Sequence, residues 1–271
     1  MPQKPSKSLA TGSIADRPAL SGHGYWKQSM GPWHILLFLA PLVAFYEIGS
    51  IMYLVDPASG IEETIRARKL MAGFFEQFGA VGLFLPGIAM VTVLLLWHIM
   101  LKESWRVRPI ILGGMLAEAV LWTLPLFVLS LILQQMLAGE PAPAAAIQGA
   151  EGLRDLGWQA RLTIAIGAGL YEELLFRMIA IAAIHMLLVD IAKTSETTGR
   201  LVAVFGSALA FAMYHDLAGP DGSLSIGKAL FFFLAGLYFG GLYIVRGFGI
   251  VVAVHAFYDA LVLVLIPQHG G

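Results

Sequence analysis

Seven apolar runs, at about 34–55, 79–101, 109–138, 160–190, 200–216, 227–245 and 248–267, divide this chain of 271 residues. Each is judged against the roughly 20 residues that an α-helix needs to cross a bilayer. The pattern predicts an all-α fold, a polytopic membrane helical bundle with about seven transmembrane helices. Composition agrees, with 58% of residues hydrophobic and 13% charged and a mean hydropathy of +0.77, a balance foreign to soluble domains. The net charge of −1 gives no reason to expect a nucleic-acid partner. There is no cysteine, which removes disulfides, thiolate metal ligands and a Cys nucleophile from consideration.

Three regions follow. Residues 1–33 are polar, carry Lys4, Lys7, Arg17 and Lys27, and read as an irregular cytosolic tail. Residues 34–157 hold the first helices and, at 61–78, a stretch too charged to span, in which Met71, Phe74, Phe75 and Phe78 recur at helical spacing. That stretch suits an amphipathic helix lying in the interface or, equally, an ordinary helical loop. Residues 158–268 form a second membrane core, where the polar residues gather. Placing the amino terminus inside puts ten basic residues on the inner side and six on the outer, so the positive-inside rule favours that orientation. Residues 139–157, rich in Pro, Ala and Gly, read as a connector and a candidate gate. Gly236 and Gly240 form a small-xxx-small pattern that lets their helix approach a neighbour closely.

The fourth run carries Tyr171-Glu172-Glu173-Leu174-Leu175-Phe176-Arg177 near its centre. Each such charge opposes insertion by roughly 2.5–3.5 kcal/mol. Glu173 and Arg177 stand four apart with the acid first, the spacing and order that let them pair. Glu172 is turned about 100° away around the helix, which leaves its carboxylate available. The bland reading is an ion-pair cluster that sets helix register; the functional one follows from the rarity of charges at this depth.

Two more intramembrane polar sites follow. Phe211-Ala212-Met213-Tyr214-His215 closes the fifth run, and His255-Ala256-Phe257-Tyr258-Asp259 lies within the seventh. Spacing puts His255 and Asp259 on one helical face. Counted from the inner helix ends at about 1.5 Å per residue, His215 lies about 22 Å deep and His255 about 10 Å, so shared chemistry requires the helices to bring them together.

This order, Glu-Glu-x-x-x-Arg, then Phe-x-x-x-His, then His-x-x-x-Asp, resembles the CPBP family, which includes type II CAAX prenyl endopeptidases and the bacterial Abi or bacteriocin-processing relatives. The resemblance covers about residues 160–265. It implies an intramembrane endopeptidase in which Glu172 activates a water, His215 helps to hold that water, and His255 with Asp259 stabilises the oxyanion. Glu173, Arg177 and Phe211 take the supporting positions. Many relatives carry Asn where this chain has Asp259. An ionised Asp cannot donate a hydrogen bond, so Asp259 is expected to orient His255, which donates.

The residues meet the chemical need on their own terms. Peptide hydrolysis without Ser or Cys requires a base for water and donors for the developing oxyanion. Two His and a Glu also suit a three-ligand zinc site, but His-Glu-x-x-His is absent. The expectation is a glutamic mechanism with no cofactor, a divalent metal such as zinc being the alternative. The expected partners are a membrane-associated protein substrate, with or without a lipid modification, and the bilayer itself, in a bacterial cytoplasmic membrane. A catalytically silent immunity or scaffold protein of the same fold is the alternative function. A proton-coupled transporter would spread its polar residues over both halves of the chain.

Overall fold

A computed structural model describes residues 22–55, 65–79, 82, 84–136, 156–219 and 222–265 of the chain. The Pro/Ala/Gly-rich connector lies outside these residues except for 156 and 157. Among the described residues there are nine helices and no strand. They are α1 (Gly22–Ser29), α2 (Pro32–Leu54), α3 (Arg66–Gln77), α4 (Leu85–Leu101), α5 (Pro109–Met136), α6 (Trp158–Ile191), α7 (Glu196–Tyr214), α8 (Ile226–Arg246) and α9 (Phe248–Leu265). Six of them, α2 and α5 to α9, are long and apolar enough to cross a membrane. A seventh apolar helix, α4, has 17 residues, the lower limit for a span. Helices suit this setting because each satisfies its own backbone where water is absent.

Local sequence sets the helix ends. Pro32 and Pro109 open α2 and α5, where a missing N–H costs nothing. Ser195 and Ser225 cap α7 and α8 by accepting from the backbone N–H of Thr198 and Lys228, the usual remedy for unsatisfied first-turn donors. Between α8 and α9 stands one residue, Gly247, at φ 77°, a conformation that glycine adopts without steric cost.

Helix α9 is the hub. It is buried over most of its length and packs against α6, α5, α8 and α2. The α6–α9 contact is close because Gly169 faces Val252 and Ala256: a Cβ there would stand 2.7 Å from the Val252 carbonyl oxygen. Gly236 meets Ala208, and Gly240 meets Val204, so the small-xxx-small face of α8 packs on α7. The outward side chains of α5, including Leu121, Leu124 and Val128, are exposed and apolar, the surface that acyl chains would cover. Gly169→Ala is expected to destabilise the bundle by about 1–3 kcal/mol through overpacking, seen as a lowered thermal midpoint in detergent; an unchanged midpoint would show that α6 and α9 can separate freely.

Three expectations need correction. The expected irregular tail contains a helix, α1, held at the end of the bundle by a clasp around the buried Arg246. Arg246 forms a bidentate pair with Glu118, donates to Ser29 Oγ at 3.0 Å, and lies 3.7 Å from the Trp26 ring centroid. Tyr25 donates to Glu118 at 2.6 Å; burial and that carboxylate push its phenol well above the usual range, so it stays a donor. Secondly, His98, whose position near the end of its apolar run predicts interfacial solvation, is buried between Trp33 and Trp105, because the chain after α4 folds back over it. Thirdly, Arg68, counted as a loop charge, is buried and paired with Glu47 at 3.4 Å. A helix does form within 61–78, as α3, and it is docked on the bundle through Ala67, Arg68 and Met71.

Candidate active site

The three motif helices converge. Glu172 Oε2 stands 3.7 Å from His215 Nε2 and 3.9 Å from His255 Nε2, although the histidines belong to different helices. Depth counted along separate helices misled because it assumes spans normal to the membrane. At 34 residues, or about 51 Å, α6 exceeds the bilayer core and must run obliquely or project beyond it.

Glu172 lies one residue before the end of regular α-helix in α6. From Leu174 to Ala180 the helix widens to π-helical geometry, a feature often found at functional sites. Glu172 is 5% exposed and Glu173 0%. The pair expected from spacing is present: Arg177 Nη1 lies 3.1 Å from Glu173 Oε1. Arg177 also donates to the Gly236 carbonyl at 3.4 Å. Its guanidinium carbon lies 4.3 Å from the Phe211 ring centroid and 5.2 Å from that of Phe239, within the range of cation–π attraction. Phe211 thus forms one wall around the buried cation.

His215 is the residue after α7, and its Nδ1 bonds the Phe211 carbonyl at 2.8 Å. A carbonyl only accepts, so Nδ1 carries a hydrogen, and in the neutral ring Nε2 is then the acceptor that faces Glu172. His255 is held differently. Its Nδ1 meets Glu173 Oε1 at 2.7 Å, while Asp259 Oδ2 lies 3.5 Å from Nε2. Asp259, expected to orient His255, lies beside Nε2, while Nδ1, the inner nitrogen, is held by Glu173. The close α6–α9 packing at Gly169 brings that carboxylate in; four-residue spacing only places Asp259 beside the outer nitrogen. Arg177, Glu173 and His255 therefore form a buried chain ending at the side of Glu172.

Sequence reasoning missed the surfaces behind both imidazoles. His215 stacks on Phe232 at 3.8 Å between centroids, and His255 on Phe239 at 4.7 Å. Both phenylalanines come from α8, which bears no ionisable motif residue; only the glycines flanking Phe239 drew attention to it. Glu47, an isolated acid in the sequence, accepts from Tyr171 at 2.6 Å, next to Glu172. Glu172, His215 and His255 converge, but among the described residues no three His, Asp or Glu side chains are spaced as metal ligands.

Arranged in this way, the site can hold a water between two acceptors, Glu172 and His215, and can present a nitrogen of His255 to an oxygen bonded at the same place. No curated protein and no solved structure matches the chain. Residues 155–261 match the family model described as type II CAAX prenyl endopeptidase Rce1-like. That match contains Glu172, Glu173, Arg177, Phe211, His215, His255 and Asp259, and over these residues the chain, an integral membrane protein, is similar to the Rce1-like CAAX-type endopeptidases.

Proposed function

We propose that this protein hydrolyses a peptide bond of a membrane-associated, lipid-modified or otherwise bilayer-anchored protein by a glutamic mechanism. The observation that carries the reading is the approach of two imidazoles from separate helices to one oxygen of Glu172.

A water between Glu172 and the bare Nε2 of His215 gives one hydrogen to each, which turns its lone pair outward. The water oxygen attacks the carbonyl carbon while Glu172 takes a proton. The carbonyl π electrons move onto oxygen, and His255, with both nitrogens protonated, donates Nε2–H to that oxyanion. On collapse the C–N bond breaks and Glu172 returns the proton to the leaving nitrogen, giving a carboxylic acid and an amine, and transfer of the remaining water proton from acid to amine leaves a carboxylate and an ammonium. Glu173 supports this by fixing the His255 ring from behind. His255→Ala is therefore expected to lose most turnover, whereas Asp259→Asn keeps most of it. Equal loss from the two variants would contradict that division of roles.

The cellular setting we propose is a bacterial cytoplasmic membrane with the amino terminus inside. Seven alternating spans then run α7 outward, so His215 lies towards the outer face.

The test compares terminal peptides of membrane proteins, by mass spectrometry, from cells lacking the protein and complemented with either the parent chain or Glu172→Gln at equal insertion. One precursor is expected to stay uncut in both the deletion and the Glu172→Gln cells. Identical termini in parent and variant, with a phenotype only in the deletion, would instead favour a silent scaffold.

A further inference from the structure

The helix α3 lies at the end of the bundle where α7 terminates, and it touches the chain beside both catalytic motifs. Arg66 Nη1 donates to the Tyr214 carbonyl at 2.8 Å, and its guanidinium carbon lies 5.2 Å from the Tyr214 ring centroid. Tyr214 immediately precedes His215. Arg68 Nη2 reaches Glu47 Oε2 at 3.4 Å, and Glu47 Oε1 accepts from Tyr171 at 2.6 Å. Tyr171 immediately precedes Glu172. Two arginines one position apart in the sequence from Ala67 thus tie α3 to the neighbours of the two residues that would hold the water.

Nothing in ordinary helix packing requires this. Ala67 and Met71 already bury the inner face of α3, yet the arginines reach two separate helices. The Tyr214 carbonyl belongs to the last turn of α7, where carbonyls have no partner within the helix. Capping it from α3 holds the turn that also orients His215 through Phe211. Glu47 sits where Gly87 leaves room: a Cβ there would stand 2.6 Å from Glu47 Oε1. The Tyr171–Glu47–Arg68 chain is therefore seated against α4 as well.

We infer that α3 is a clamp that sets the distance between Glu172 and His215, with Arg66 and Arg68 as positioning residues. Its catalytic consequence rests on the hydrolysis proposed above; its structural consequence does not. When α3 lifts, the end of α7 loosens and His215 leaves the shared water; when α3 docks, the site closes to working geometry. A displacement of this kind, near 1 Å, is enough to lower turnover by up to about 100-fold.

The chain has no cysteine, so paired spin labels can be placed freely. Leu70 on α3 and Met213 on α7 are both exposed and suit the purpose. In proteoliposomes the parent should give one narrow label-to-label distance distribution, and Arg66→Met a broad one. Arg66 is exposed, so its loss strands no buried charge. With an internally quenched farnesylated CAAX peptide as probe, Arg66→Met should lower kcat about tenfold at unchanged KM, and Arg66→Lys should restore part of it. The double variant Glu47→Gln/Arg68→Met, which leaves no unpaired buried carboxylate, should behave like Arg66→Met. A narrow distribution in Arg66→Met, or an unchanged kcat in a chain whose distribution has broadened, overturns the proposal. Glu172→Gln with the same labels should stay narrow. Where the parent leaves the peptide uncut, a prenylated substrate is ruled out, and the distance distribution alone decides the clamp.

Discussion

Glu172→Gln is expected to insert and fold like the parent and to lower kcat by about 10³-fold, within the range that a positioned acid–base group contributes. Gln is nearly isosteric with Glu, so the packing around this 5%-exposed side chain is kept. What disappears is the capacity to take a proton from water and return it to the amine. The His215 and His255 nitrogens within 4 Å remain, so the site still polarises a carbonyl without completing the transfer. The measurement is steady-state cleavage of a quenched prenylated peptide by detergent-purified protein, with thermal unfolding recorded on the same sample. On the glutamic reading, turnover of the parent also survives exhaustive treatment with a chelator. Full activity in Glu172→Gln would remove Glu172 from the reaction, and loss of the parent's activity on chelation, restored by zinc, would replace the glutamic mechanism with a metal-dependent one.

The second large effect is expected at Glu173. Glu173→Ala leaves Arg177, 0% exposed, without its carboxylate, and breaking a buried pair on one side costs about 3–5 kcal/mol. It also frees the Nδ1 of His255. Stability and turnover should fall together, which by itself does not separate the two roles. The double variant Glu173→Ala/Arg177→Met separates them. Removing both charges eliminates the stranded cation, and Met refills the space between Phe211 and Phe239, so the thermal midpoint should recover most of its loss. Turnover should not recover, because nothing then holds the inner nitrogen of His255. If turnover returned with stability, Glu173 would be a partner of Arg177 alone.

The separation of these two roles shows where a linear reading reached its limit. Helix existence was legible because a run of about 20 apolar residues has few alternatives in a bilayer. The Glu173–Arg177 pair was legible because four-residue spacing brings side chains together within any helix, and the closeness of α8 to α7 was legible from Gly236 and Gly240. The bond between Glu173 and His255, 82 positions apart, was not. It depends on the rotation of α6 relative to α9, set where Gly169 admits Val252 and Ala256.

The same reason hid the aromatic supports. Phe232 and Phe239 look like any lipid-facing or core phenylalanine until α8 is turned to show them stacked on His215 and His255. The α3 arginines read as loop charges that bear on orientation, because their partners, Glu47 and the Tyr214 carbonyl, lie 21 and 148 residues away. Nor did polar residues 22–29 suggest a packed helix, since the attachment of α1 comes from Glu118 and Arg246 in other spans.

From the sequence alone came the class of the protein, the existence and approximate limits of its apolar helices, and the chemical groups available, since these depend on composition and on spacing along one helix. Which nitrogen faces which carboxylate, which ring backs each histidine, and what holds the end of α7 were decided only by tertiary structure, because they depend on how helices distant in the chain rotate and tilt against one another.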